Sequence, residues 1–200
     1  MVSVRVSRRK CTAHNRGVLG NRLDESRVIS EFLASARWPA ALLLEGEAGI
    51  GKTTQWLSVI DQAGALGIRV LAARTAAAES VLAYASLADL LGDVEAAVLA
   101  DLPGPQRMAM DRVLLRGTGD DDEATDPRAV AAGFVSVVER LADESPVIIA
   151  IDDLQWLDTS SPAGGGVRRA AARGADRPAR HRAYRAAAQC CGVVAPVAEG

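Results

Sequence analysis

The stretch Gly46-Glu47-Ala48-Gly49-Ile50-Gly51-Lys52-Thr53 decides the fold of this 200-residue chain. It follows the short apolar run Ala40–Glu45 and precedes a segment, 52–63, whose apolar residues recur at helical spacing. The pattern G-x-x-x-x-G-K-[ST] between a strand and a helix is that of a phosphate-binding loop, or P-loop. Its glycines permit backbone conformations that turn successive N–H groups towards phosphate oxygens, and the helix adds its positive dipole end. The sequence therefore predicts a strand–loop–helix unit that binds a nucleotide.

Each residue of the loop has an expected task. Lys52 supplies a positive charge for the β and γ phosphates, and the Thr53 hydroxyl is a Mg²⁺ ligand. The rest of the predicted nucleotide-binding set consists of Gly46, Glu47, Ala48, Gly49, Ile50, Gly51 and Thr54.

A second apolar run, Pro146–Ile151, leads directly into Asp152 and Asp153. A buried strand that delivers a carboxylate at its carboxyl edge is how P-loop proteins complete a Mg²⁺ site. We therefore expect Asp152 to bind the metal through water, and Asp153 to orient and activate the water that attacks the γ phosphate. By itself the pair would better fit solvated carboxylates that cap the next turn, but the upstream P-loop favours the functional interpretation.

Strand and helix patterns alternate through the first four fifths of the chain. Ala40–Glu45, Ile68–Ala72 and Pro146–Ile151 are strand candidates, and Ser80 and Asp126 are candidate helix N-caps. Strands that alternate with helices are typical of α/β domains. We therefore predict the three-layer fold of a P-loop NTPase with a mainly parallel sheet.

Composition excludes several classes of protein. Apolar residues make up 49% of the chain and charged residues 24%, values typical of a globular domain. The three cysteines fit neither a disulfide framework nor a metal-ligand spacing. No apolar run approaches the roughly 20 residues of a membrane span, and no apolar segment follows the basic residues near the start. We expect a cytoplasmic location and no membrane partner.

Two segments carry a resemblance to a known family. They are Leu42–Thr54, which contains the P-loop, and the run Asp152-Asp153-Leu154-Gln155-Trp156-Leu157-Asp158. Together they resemble the nucleotide-binding domain of large ATP-binding LuxR-type transcriptional regulators, which are AAA-related, signal-transducing P-loop ATPases. The resemblance covers residues 16–161. It departs from the family at residues 20–25, where Gly-Asn-Arg-Leu-Asp-Glu replaces the usual Gly-Arg-x-x-Glu.

The resemblance implies an ATP-driven switch with ATP and Mg²⁺ as cofactors. Because a strand of the sheet is expected to be missing, we expect weak or absent ATPase activity. Full-length members continue into a helical sensor region and a C-terminal helix-turn-helix. We expect neither region, and no sequence-specific DNA-binding element, in this chain. Besides the nucleotide, the expected partners are a second copy of the chain or other regulator components.

The composition changes near Ser161. Residues 1–161 hold 16 Lys and Arg and 23 Asp and Glu, whereas residues 162–200 hold seven arginines and two acidic residues. We therefore divide the chain into a flexible N-terminal segment, 1–15, the N-terminal part of a P-loop ATPase domain, 16–161, and an Ala/Arg-rich tail, 162–200. The tail is expected to be disordered or out of frame.

The tail lacks a strand that the resemblance requires. In the family this strand lies between the P-loop strand and the Asp-Asp strand, but residues 162–190 contain no such pattern, and Pro196 interrupts Val193–Val197. Codons for Asp176–Arg185 that are read one nucleotide later permit Ile-Gly-Pro-Leu-Gly-Ile-Val-Leu-Thr-Val, an apolar strand. We therefore expect a reading-frame slip near Ser161 and a domain that is truncated after the Asp-Asp strand, with an incomplete C-terminus.

Other functions stay open on the sequence. An inactive, frame-shifted fragment would retain little nucleotide binding. The Arg-rich tail would suit nonspecific nucleic-acid binding, since phosphate contacts need only positive charge, although no base-reading element accompanies it. A small-molecule P-loop kinase would share the loop, but the run Asp152–Asp158 favours an ATPase and no substrate lid is recognisable.

Overall fold

The computed structural model describes residues 3–8, 22–34, 40–45, 48–116, 125–153, 156–158 and 160–161, together with the backbone of 183–184, 187–189 and 192–198. In chain order, the helices and strands of these residues are β1 (Ser3–Arg8), α1 (Arg22–Ala34), β2 (Ala40–Glu45), α2 (Lys52–Ala65), β3 (Arg69–Arg74), α3 (Ala85–Leu91), α4 (Ala96–Ala100), α5 (Gly104–Val113), α6 (Pro127–Glu144), β4 (Val147–Asp152), β5 (Ala183–Tyr184), β6 (Ala187–Gln189) and β7 (Gly192–Ala198).

The elements that flank the site form for local reasons that the sequence shows. Helix α2 begins at Lys52 and buries Trp56 and Val59 on one face, as the apolar spacing predicts. The Asp126 side chain accepts a hydrogen bond from the Arg128 N–H at 2.9 Å and so caps α6, which confirms that prediction. Every residue of β4 is buried, which explains its continuous apolar sequence.

The sheet order is β1-β2-β7-β4-β3. Strands β3 and β4 are parallel, with Arg69 opposite Val147 and Arg74 opposite Asp152. Strand β1 pairs with β2 in the antiparallel sense, and β7 is antiparallel to β4 along Val147–Ala150. The prediction of a mainly parallel sheet therefore holds for β3 and β4 but is wrong for the sheet as a whole. The antiparallel partners come from the two ends of the chain, outside the strand–helix–strand units on which that prediction rests.

Strand β7 lies between the P-loop strand β2 and the Asp-Asp strand β4, where the sequence analysis expects a strand that residues 162–190 lack. Its pairing with β4 extends over four residue pairs, whereas it meets β2 in the single pair Leu42–Val194. The short strands β5 and β6 also pair with β7. In the described part of the chain, β7 therefore links the P-loop strand to β4 through very few backbone pairs.

Helices pack on both faces of β4. Ile149 and Ile151 belong to a buried apolar cluster that includes residues of α3, α5 and α6. Ile148 and Ala150 belong to a second cluster, with residues of α1 and α2. This division follows from the alternation of side chains along a strand. The described residues thus show a small parallel sheet, covered by helices, that is compatible with a P-loop NTPase; the complete three-layer fold stays a prediction.

None of the helices in the described segments is both long enough and apolar enough to cross a bilayer.

Deleting residues 162–200 should lower the melting temperature, because the deletion removes β7 and leaves the edge of β4 unpaired. Ladder hydrogen bonds contribute about 1 kcal/mol each, so the four residue pairs, at about one bond per pair, predict a fall of roughly 8–16 °C. Thermal unfolding followed by circular dichroism measures the difference between residues 1–161 and 1–200. A third chain, in which the shifted-frame product replaces the tail, should melt highest, since a full strand would pair with both β2 and β4. Equal melting temperatures for the three chains would contradict both expectations.

Candidate nucleotide site

The P-loop joins the carboxyl end of β2 to the start of α2, as predicted. Gly46 and Glu47 lie outside the described residues, and Ala48, Gly49 and Ile50 are exposed. Gly49 and Gly51 have φ values of 77° and 101°, a left-handed region that glycine adopts with little strain. A Cβ at either position would meet no atom within 4 Å, so the backbone conformation, and not crowding, requires glycine there.

Three consecutive residues at the start of α2 differ in exposure. The Lys52 side chain is buried at 9% relative exposure, Thr53 is half-buried and Thr54 is exposed. The first turn of a helix carries N–H groups without intrahelical partners, which favour an anion. Lys52 and Thr53 therefore lie where the N–H groups at the start of α2 favour an anion.

Asp152, at the end of β4, lies beside the start of the P-loop helix. It is 3% exposed, and the Thr53 hydroxyl is close enough to lower the pKa of its carboxylate by hydrogen bonding. Its Oδ1 atom is buried and has no hydrogen-bond partner among the described residues. A buried carboxylate oxygen without a partner is costly unless a cation or a donor satisfies it.

Burial and the neighbouring Asp153 carboxylate together raise the pKa of Asp152, while the Thr53 hydrogen bond and the positive charges of Arg74 and Lys52 partly offset this rise. Oxygen donors of this kind, one carboxylate and one hydroxyl, suit Mg²⁺, which also retains waters and binds phosphate oxygens. No group of three or more His, Cys, Asp or Glu ligands occurs among the residues with described side chains. Thr53 and Asp152 therefore fit a Mg²⁺ ion that arrives with a phosphate chain.

Asp153 adopts a left-handed backbone conformation, with φ of 58°. For a residue with a side chain, this conformation costs about 1–2 kcal/mol. Two hydrogen bonds reach the Asp153 carbonyl oxygen, from the Thr75 hydroxyl at 2.6 Å and from the Trp156 N–H at 2.9 Å. Such bonds contribute about 1 kcal/mol each, enough to offset the strain. The half-buried Asp153 is thus held in one backbone conformation directly beyond the strand.

Thr75 is a site residue that the sequence analysis does not identify. Its buried hydroxyl also lies 2.8 Å from the carbonyl oxygen of Asp152. The signal was its position, one residue after a strand that ends beside β4, but a lone threonine after an apolar run is too common to single out.

Asp158 has a structural role and is not one of the candidate metal ligands. Its 3%-exposed carboxylate accepts hydrogen bonds from the N–H groups of Tyr84, Ser86 and Ser161, and from the Ser161 hydroxyl. Tyr84 and Ser86 stand at the start of α3, so Asp158 caps that helix from a distant part of the sequence. The prediction that Ser80 caps this helix is wrong. Ser80 lies five residues before α3 begins, and its hydroxyl donates to the Ala77 carbonyl.

Burial alone would raise the pKa of Asp158, but hydrogen bonds from Ser161 and Ser86 outweigh burial and hold the pKa below its ordinary value of 3.8. Asp158 is therefore ionised at neutral pH. Asp158 therefore joins the sequence that follows β4 to the start of α3 by hydrogen bonds.

A pocket of about 490 Å³ lies elsewhere, between the start of α3 and the end of α5. Leu82, Tyr84, Val113 and Leu115 are among its lining residues, and none of the lining residues belongs to the P-loop or to the Asp152–Asp153 pair. The candidate site is therefore assigned from the chemistry of its residues and not from the volume of a cavity.

A P-loop whose threonine lies beside an aspartate at the end of a buried strand defines the class of nucleotide-binding P-loop proteins. The AAA ATPase domain family matches residues 22–163, most of the chain. The chain belongs to this family, which implies nucleotide binding and, typically, the use of Mg²⁺. No match was found among curated proteins or solved structures.

Asp158→Asn should destabilise the protein by about 3 kcal/mol, because buried donors without acceptors cost about 1–3 kcal/mol each. Each carboxylate oxygen accepts from a backbone N–H, so either orientation of the amide places an NH₂ group opposite one of them. The ionised form stabilises the fold fully above pH 3.8, and this contribution is lost as the pH falls through the lower folded-state pKa. The difference from wild type should therefore be constant near neutrality and shrink only below about pH 4.

Urea unfolding at several pH values measures this difference. Asp61→Asn, at an exposed position of α2, is the control and should leave stability within about 0.5 kcal/mol of wild type. An Asp158→Asn protein as stable as wild type at pH 7 would show that the cap is dispensable.

Proposed function

We propose that this chain binds Mg-ATP where the P-loop meets the end of β4, and that it hydrolyses ATP slowly as a molecular switch. The observation that carries the proposal is the buried Asp152 carboxylate beside the Thr53 hydroxyl, whose Oδ1 has no hydrogen-bond partner among the described residues. Membership of the AAA ATPase domain family supports the choice of a nucleotide as ligand.

Binding of the phosphate chain is assigned to the loop and the first turn of α2. The backbone N–H groups of residues 46–51, with Thr53 and Thr54, would surround the β and γ phosphates, as such loops do in P-loop proteins. Lys52 adds a positive charge whose buried position shields it from solvent screening. Removing that charge should therefore weaken binding more than the loss of an exposed lysine would.

Metal binding is assigned to Thr53 and Asp152. Bound Mg²⁺ would neutralise negative charge on the phosphates during transfer. The chain's contribution is to present one hydroxyl and one carboxylate oxygen from two elements that the fold holds together. Ionised Asp152 is disfavoured by burial and by Asp153, and a cation at this position would relieve both effects.

Hydrolysis is assigned to Asp153. Its carboxylate would accept a proton from the water that attacks the γ phosphate, the task of a general base. Asp153 follows the metal-binding aspartate directly and has a restrained backbone, so the two carboxylates keep separate tasks at the same edge of the sheet.

The switch is assigned to the run that connects these aspartates to α3. Asp158 joins the run to the start of α3 through hydrogen bonds, so a displacement at Asp152 on nucleotide binding would reach that helix. The segments Leu42–Thr54 and Asp152–Asp158 support a relationship to LuxR-type transcriptional regulators. On this proposal the chain acts in the cytoplasm, with the nucleotide and a second copy or regulator components as partners.

Asp153→Asn should bind Mg-ATP within about twofold of wild type and lose at least about 100-fold in turnover, the usual contribution of a general base. Asparagine tolerates the left-handed region well, so this change removes the charge and leaves the backbone conformation intact. Calorimetry measures binding, and phosphate release measures turnover.

Lys52→Ala is the matched variant for binding and should weaken Mg-ATP affinity, while melting curves verify that both variants are folded. Wild-type turnover by Asp153→Asn would refute the general-base role. Unchanged ATP affinity in a folded Lys52→Ala protein would refute the P-loop site.

A further inference from the structure

The buried hydroxyl of Thr75 has no task in the mechanism described above. It lies 2.8 Å from the carbonyl oxygen of Asp152 and 2.6 Å from that of Asp153, so it bridges the two residues to which metal binding and catalysis are assigned. The Thr75 backbone N–H also points to the Asp152 carbonyl, at 3.4 Å. Thr75 thus contacts the main chain of both aspartates from the neighbouring strand end.

Asp153 gains from such a restraint because its left-handed conformation is one that aspartate tolerates but that competes with ordinary extended and helical conformations. With φ of 58°, its peptide would relax towards ordinary extended or helical conformations if nothing held it. Relaxation would move the Asp153 side chain relative to Asp152, whose own place is fixed by pairing with Arg74 in the parallel ladder. Strain held at a functional residue by surrounding hydrogen bonds is a recurrent feature of active sites.

We propose that Thr75 is the positioning residue for Asp153: its hydroxyl fixes the backbone beyond β4 so that the Asp153 carboxylate meets the attacking water. This inference rests on the proposed hydrolysis. It assigns Thr75 a part in turnover and none in nucleotide binding, because no P-loop group is among its hydrogen-bond partners given above.

A purely structural role predicts a different pattern. Valine has nearly the same shape as threonine and would fill the same buried space. After Thr75→Val, the Asp152 carbonyl keeps the backbone N–H of residue 75, and the Asp153 carbonyl keeps the Trp156 N–H. The fold therefore retains most of its contacts, and the specific loss is the restraint on Asp153.

The test compares Thr75→Val, Thr75→Ser and Ser80→Ala with wild type in the full chain. Ser80→Ala is the matched control, since it removes a hydroxyl bond to the Ala77 carbonyl in the segment that follows Thr75. The first measurement is steady-state hydrolysis of Mg-ATP, reported as kcat and KM. The second, which requires no nucleotide, is NMR hydrogen exchange of the Trp156 amide that bonds to the Asp153 carbonyl.

For Thr75→Val we expect kcat to fall by about 10- to 100-fold, with KM within about twofold of wild type, since displacement of a catalytic group by about 1 Å has effects of this size. The Trp156 amide should exchange about tenfold faster, in proportion to the lost restraint. Thr75→Ser should restore both quantities, and Ser80→Ala should change neither.

An unchanged kcat, an unchanged Trp156 exchange rate, or a fall in kcat that serine does not restore would each overturn the proposal. If wild type binds Mg-ATP without turnover, the hydrolytic part of the proposed function fails. The exchange rates then still decide whether Thr75 restrains Asp153. A Thr75→Val protein that fails to fold would show that the hydroxyl is needed for the fold itself, and would overturn a role limited to positioning Asp153.

Discussion

The placement of the Thr53 hydroxyl beside the buried Asp152 carboxylate, where it lowers the pKa of that carboxylate, is the constraint on which the rest of the account depends. It joins the start of α2 to the end of β4, two elements that are far apart in the sequence. Burial of the Asp152 carboxylate is costly by itself, because its Oδ1 has no hydrogen-bond partner among the described residues. The same oxygen is well suited to bind a cation. The helices on both faces of β4 and the strained turn at Asp153 keep this carboxylate in place.

Two further residues form hydrogen bonds that connect this part of the site to neighbouring elements. Thr75 restrains the peptide after Asp152, while Asp158 ties the following turn to α3. Asp158 is ionised at neutral pH and accepts hydrogen bonds from residues at the start of α3, so it connects the chain beyond β4 to that helix.

Features that depend on local sequence were predictable, and features that depend on distant pairing were not. The P-loop, the buried strand before Asp152 and the Asp126 cap carry their own signals of glycine spacing, apolar runs and capping chemistry. The cap on α3 comes from Asp158, more than 70 residues away, and no local pattern distinguishes that aspartate from a solvated one. Likewise, the place of β7 between β2 and β4, and its antiparallel sense, follow from tertiary pairing that an apolar run interrupted by Pro196 does not reveal.

The central claim, that Thr53 and Asp152 form one Mg²⁺–phosphate site, is tested most directly by a double-mutant cycle on Mg-ATP affinity. Calorimetric titrations of wild type, Thr53→Val, Asp152→Asn and the double variant supply the four dissociation constants. The account predicts that each single change weakens binding and that the double variant binds about as well as the weaker single variant, a coupling on the order of 1 kcal/mol or more. Losses that simply multiply, as for two independent sites, or an affinity that neither change alters, would contradict it.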